Sequence, residues 1–109
     1  LVRQVPVSDH VVRYALSLVR QTRVGSDGVP DFVDDLVGWG AGPRASQYLV
    51  LGAKANAAIQ GKYSPDIDDV KAIANYVLRH RIGLTYEAEA ENVTSEDIIN
   101  KIVNEIEVP

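Results

Sequence analysis

Apolar residues recur at helical spacing in four stretches of this 109-residue chain, and turn-forming residues separate them. In the first stretch Val12, Ala15, Leu16 and Val19 fall at i, i+3, i+4 and i+7, which predicts an amphipathic helix running to about Arg23. Ser8 suits its N-cap and Asp9 its first turn, while Arg20 and Arg23 sit where the helix dipole favours cations. Residues 1–7 read as an extended lead-in, because Pro6 prevents an earlier start.

The second stretch runs from Pro43 to about Gln60 and is apolar nearly all round: Tyr48, Leu49, Val50, Leu51, Ala53, Ala55, Ala57, Ala58 and Ile59 leave little polar face. Such a helix belongs in the middle of a bundle, with its alanines and Gly52 allowing close approach and Gly61 as its C′ residue. A third helix is predicted from Ser64 as cap and Pro65 as first helical residue. Ile67, Val70, Ala74, Val77, Leu78 and Arg81 keep the period, with Ile73 beside them. It ends near Arg79-His80-Arg81, with Gly83 closing it. The last helix opens at Thr94, whose partner in a near capping box is Asp97, and buries Ile99, Ile102, Val103 and Ile106.

Between these stretches the pattern is weaker. Residues 25–30 (Gly-Ser-Asp-Gly-Val-Pro) form a loop by composition. Phe32, Val33, Leu36 and Val37 suit either one or two helical turns or a bent extended segment leading to Trp39. From Leu84 to Glu91 the residues alternate at period two, Tyr86, Ala88 and Ala90 on one side and Glu87, Glu89 and Glu91 on the other. This predicts a short extended segment at the edge of the bundle, its glutamates a solvated face.

The least ordinary stretch is Gly38-Trp39-Gly40-Ala41-Gly42-Pro43-Arg44-Ala45-Ser46. Three glycines precede a proline at N1, and Arg44 then falls at N2, where a helix dipole prefers an acid. A cation in that place is either an incidental surface charge or meets a negative ligand. Trp39, the sole tryptophan, is expected to anchor the loop to the core, with contact to an adenine or a partner as the alternative.

Composition narrows the options. The length is that of one domain with a single core. There is no cysteine, which excludes disulfides and thiolate metal sites and is compatible with a reducing compartment; a cytoplasmic location is expected. No apolar run approaches the roughly 20 residues of a membrane span, and no leader peptide is evident. The chain opens at Leu1 and contains no methionine, so a fragment of a longer protein is expected. Residues 85–109 hold seven acids against Lys101, whereas residues 1–84 hold ten bases against eight acids. The acidic total argues against general nucleic-acid binding, while local anion binding in the first 84 residues stays open.

Catalytic machinery is not legible. Ser46, Ser64 and Ser95 have helical or capping explanations. The glycines of residues 38–42 lack the buried strand, the βαβ unit and the later acid of a dinucleotide site, and no Walker A motif occurs. His10 and His80 lie in different predicted helices, so no metal site is expected.

Several segments in register do carry a resemblance: V-R-Y-A-L-S-L-V-R-Q-T-R (12–23), G-W-G-A-G-P-R-A-S (38–46), Y-S-P-D-I-D-D-V-K-A-I-A (63–74), V-L-R-H-R-I (77–82) and L-T-Y-E-A-E-A (84–90). In order and spacing they resemble the C-terminal lid of MoxR-family AAA+ ATPases, from about Val5 to Ile106. The resemblance implies a mainly α fold, a compact four-helix lid bundle with at most a short β element, spanning 1–109 after a nucleotide-binding core. It also implies that Arg44 matches the family's sensor-2 arginine, which approaches the γ-phosphate, with Pro43, Gly42 and Trp39 as its nucleotide-side support. Gly42 stands where the family usually has serine; glycine still caps, at a cost of a few tenths of a kcal/mol.

By the same resemblance ATP and Mg2+ are the cofactors, held mainly by the core domain. The implied partners are that core, the neighbouring subunits of a hexamer and a von Willebrand factor A-type protein, in a chaperone-like or metal-insertion role. The chain alone would be inactive, Arg44 being its catalytic contribution. Two other readings follow from the residues: a non-enzymatic helical adaptor binding a protein partner through the acidic C-terminal segment, and a DNA binder built on the third helix, which the net charge opposes.

Overall fold

A computed structural model describes residues 5–25, 29–42 and 44–105. Four longer helices make the body: α1 (Asp9–Gln21), α3 (Ala45–Ile59), α4 (Ile67–Leu78) and α6 (Ser95–Glu105). Two short helices, α2 (Asp31–Leu36) and α5 (Tyr86–Ala90), and a two-stranded antiparallel sheet of β1 (Val37–Trp39) and β2 (Gly83–Leu84) complete it. The fold is mainly α with a minor β element, as expected.

The predicted centrality of α3 holds. It packs most extensively on α4 and then on α1, burying Ala45, Leu49, Ala53 and Ala57. Small residues on this face let α4 come close: a Cβ on Gly52 would stand 3.2 Å from Ile73 Cδ1. The core joins Tyr14 and Leu18 of α1, Leu49 of α3, Val70 and Leu78 of α4, and Ile98, Ile99 and Ile102 of α6. α3 stops at a Schellman turn as Gly61 predicts. Gly61 has φ +75°, its N–H donates to the Ala58 carbonyl at 3.1 Å, and the Lys62 N–H reaches the Ala57 carbonyl at 2.9 Å.

Several expectations are corrected. The buried stripe of α1 is Val11, Tyr14, Ala15, Leu18 and Val19; Val12 is half-buried and Leu16 is 46% exposed. The helix is apolar on more than one face, and the face that carries Tyr14 and Leu18 turns inward. It also ends at Gln21 rather than Arg23, where the Thr22 and Arg23 N–H groups donate to the Val19 and Arg20 carbonyls, three residues back, at 3.1 and 3.0 Å.

The cap of α4 is Asp66, not Ser64, and Pro65 lies before it. Asp66 and Asp69 satisfy each other's backbone N–H in a reciprocal box, at 3.3 and 2.9 Å. This helix ends at Leu78, so Arg79 is its C-cap and Gly83 belongs to β2 rather than closing the helix. Of the expected extended segment, Leu84 to Glu91, only Leu84 is strand, and Tyr86–Ala90 is helical. Thr85 caps it by accepting from the Ala88 N–H at 3.2 Å. Asn92, at φ 60°, ends it with the Val93 N–H on the Ala88 carbonyl at 2.9 Å. Alanine and glutamate are good helix formers, and a cap at each end outweighs the period-two pattern.

At α6 the Thr94 and Asp97 box is present, at 3.0 and 3.1 Å. Ile98 joins Ile99 and Ile102 in the core, Val103 is half-buried, and Ile106 lies outside the described residues. Of the ambiguous stretch Asp31 to Val37, residues 31–36 form the short helix α2, which passes directly into β1 at Val37.

Candidate functional site

The segment from Val37 to Arg44 is positioned by two separate contacts. On one side β1 pairs with β2, Val37 opposite Leu84 and Trp39 opposite Gly83, with an irregularity between. On the other the loop presses on the end of α1. Thr22 is fully buried, and its Oγ1 accepts from the Ala41 N–H at 3.0 Å while donating to Val19. Gly40 is required there, because a Cβ would collide with the Thr22 carbonyl and the Arg23 Cα, both backbone. Arg23 adds a longer contact from Nε to the Ala41 carbonyl at 3.4 Å. These contacts hold the loop by its backbone, bury Val37 and Ala41, and leave Trp39 and Arg44 outward.

Those two side chains line a cleft of about 580 Å3 formed by Trp39, Gly40, Gly42, Arg44, Ala45, His80 and Arg81. Trp39 is 60% exposed, so the expected core anchor is corrected: its ring lies over Gly83, where a Cβ would meet the indole. The strand pairing anchors the backbone at this point, so the ring is not needed for that. Gly42 is exposed, with open space around its missing Cβ. Pro43 lies outside the described residues. Arg44 is exposed and stands at the N-cap of α3, not at N2, with φ −74° and ψ −15° and no side-chain capping bond. The helical bounds move by two residues, yet Arg44 still lies at the positive end of the α3 dipole.

Of the expected site residues, Trp39, Gly42 and Arg44 thus meet in one cleft. His80 and Arg81 join them. In the sequence both belong to the expected end of the third helix, and nothing in the local pattern connects them to Arg44. The connection is made by β1 and β2, which bring the segment after α4 alongside the loop before α3. Among the described residues no acid lines the cleft, and neither Arg44 nor Arg81 makes a salt bridge. Arg81 is fixed instead by neutral partners: its Nη1 donates to the Val77 carbonyl at 2.6 Å and its guanidinium lies 4.7 Å from the centre of the Tyr48 ring. The cleft is therefore positive, with polarity from two guanidiniums and a helix N-terminus and a flat apolar wall from Trp39. It suits an anion attached to a planar group.

The described residues contain no group of three His, Cys, Asp or Glu side chains able to hold a metal ion. No helix among them is long and apolar enough to cross a membrane.

The model of the AAA lid domain family matches residues 32–102, a segment that contains the whole cleft. The chain belongs to that family. The lid is 32% identical over 101 residues to the chaperone MoxR1 of Mycobacterium tuberculosis, covering 93% of this chain and 26% of that protein. It is 29% identical over 108 residues to the uncharacterised protein YeaC of Bacillus subtilis, covering 99% of this chain and 31% of that one. Its fold superposes with a TM-score of 0.91 on the crystal structure of a candidate ATPase from Cytophaga hutchinsonii, at 30% identity, covering 99% of the lid and 33% of that chain. The lid is of the MoxR type. It spans between a quarter and a third of the length of these relatives.

Proposed function

We propose that this lid completes the ATP site of a MoxR-like AAA+ ATPase, with Arg44 as its sensor-2 arginine. The observation that carries the reading is the cation itself. Arg44 projects from the N-terminal end of α3, at a cleft with no acid among its described lining residues. A guanidinium placed against its own helix dipole is unfavourable in isolation, and a triphosphate between lid and core removes the conflict. Trp39 and Gly42 border the same cleft and would flank the nucleotide, and Pro43 lies between Gly42 and Arg44 in the chain.

The cleft fits the phosphates of ATP and does not supply a cradle for them. There is no Walker A motif and no acidic cluster for Mg2+ among the described residues. Both groups are held mainly by a nucleotide-binding core that the lid packs against. Bound Mg2+ neutralises phosphate charge, and Arg44 contributes to the charge that develops on the transferred phosphoryl group. An arginine that contacts the γ-phosphate also draws the lid closed when ATP is present, since its affinity differs between the two nucleotide states. In the assembled protein the lid packs between subunits of a hexamer, in the cytoplasm, in a chaperone-like or metal-insertion role with a von Willebrand factor A-type partner.

Hydrogen–deuterium exchange on the intact ATPase tests the placement. Adding a non-hydrolysable ATP analogue with Mg2+ should slow exchange at residues 39–49 more than at α6, on the far side of α4. Equal exchange with and without nucleotide at residues 39–49 would contradict it.

A further inference from the structure

Arg79-His80-Arg81 follows α4, and its two arginines are placed very differently. Arg79 pairs with Glu96 at 3.4 Å and lies over Tyr76. Arg81 has no such acid among the described residues, and faces the cleft that holds Arg44.

We propose that Arg81 is a second anion-binding residue of this cleft, contacting the polyphosphate of the nucleotide together with Arg44; the inference rests on the proposed ATP site. Three observations carry it. The first is the charge balance. Arg44, Arg81 and the N-terminus of α3 share a concave surface with no acid among its described lining residues, and a bound anion would be attracted by all three. The second is the way Arg81 is held. Its partners, the Val77 carbonyl and the Tyr48 ring, fix the guanidinium without cancelling its charge. One edge of the fork is used by Val77, and a planar guanidinium retains further N–H donors for oxygen ligands. The third is rigidity. Tyr48 belongs to α3, one turn beyond Arg44, so the ring that carries Arg81 moves with the helix that carries Arg44. β1 and β2 tie the two chain segments together behind them. Arg44 is then the exposed member and Arg81 the preorganised one.

The test uses the intact ATPase and a non-hydrolysable ATP analogue with Mg2+. Arg81→Met keeps an unbranched apolar chain over Tyr48 and removes the charge, while Arg81→Lys restores a charge without the planar fork. Arg81→Met should weaken analogue binding about tenfold, and Arg81→Lys should remain within about threefold of the parent, with melting temperatures unchanged. Binding by Arg81→Met within about twofold of the parent would overturn the inference, as would equal weakening by Met and Lys. If Arg81→Met does not fold, phenylglyoxal labelling of the parent protein decides. The analogue should protect Arg81 along with Arg44, and an Arg81 labelled equally with and without analogue would overturn the inference. Protection of Arg44 alone would leave the proposed ATP site standing, whereas protection of neither arginine would remove both.

Discussion

Thr22 commits its hydroxyl on both sides: it donates to Val19 in its own helix and accepts from Ala41 in the loop that leads to Arg44. The residue is fully buried, so no water replaces either partner. Thr22→Val keeps the shape and leaves the Ala41 N–H unpaired in the interior. That should lower stability by about 1–3 kcal/mol, read as a shift of the urea midpoint with an unchanged slope. The loop would also lose its fixed distance from α1, so turnover of the intact ATPase should fall beyond any loss of folded protein. An unchanged midpoint would show that the clamp is not needed. None of this is visible in the sequence, where Thr22 is one more residue near a helix end. Arg44, Gly42 and Trp39 could be found because they are contiguous in an unusual stretch. His80 and Arg81 could not, since their place in the cleft depends on a strand pair that joins distant parts of the chain.

At the level of elements, the α3–α4 pair depends on one buried carboxylate. Asp69 is only 1% exposed. It accepts from the Asp66 N–H at 2.9 Å, from the Asn56 amide of α3 at 2.8 Å and from Lys62 in the connection at 3.2 Å. Burial by itself raises its pKa, but these hydrogen bonds and the Lys62 charge outweigh burial and hold it below the ordinary value of 3.8. A carboxylate with a depressed folded-state pKa stabilises the fold above its unfolded value, and this contribution is lost as the pH falls through the folded value. Stability should therefore decline below about pH 4, and less steeply in Asp69→Asn, which does not ionise. Asp69→Ala should cost about 1–3 kcal/mol at neutral pH, because Asn56 and the cap lose their acceptor. A variant with the same acid limb as the parent would refute the role given to Asp69.

The same pair illustrates what the sequence makes legible. The apolar periods of α1, α3, α4 and α6 identify the four long helices, because each must bury one face. Their ends are harder to place: Ser64 and Asp66 are both good caps, and only Asp69 folding back on Asp66 selects between them. Segment 84–91 is read as strand because Tyr86, Ala88 and Ala90 alternate with glutamates. In the fold only Ala88 of these needs burial, and Tyr86 is 91% exposed. A single buried position carries no period.

For the whole molecule, four longer helices share one core, and among the described residues a positive cleft lies at the N-terminal end of α3. The small core face on α3 keeps α1 and α4 close, and the loop clamped by Thr22 and by β2 delivers Arg44 to the edge. Such a body is suited to move as a unit against a nucleotide core, with the contact made by a few side chains at one end. The central claim is that Arg44 supplies charge to a reaction whose other components lie outside the residues of this cleft. Steady-state ATP turnover of the intact ATPase carrying Arg44→Ala, at saturating ATP and Mg2+, tests it most directly. Turnover should fall at least tenfold, about 1.4 kcal/mol of transition-state stabilisation, with the melting temperature unchanged. Turnover equal to the parent's would contradict the account and make Arg44 an ordinary surface charge.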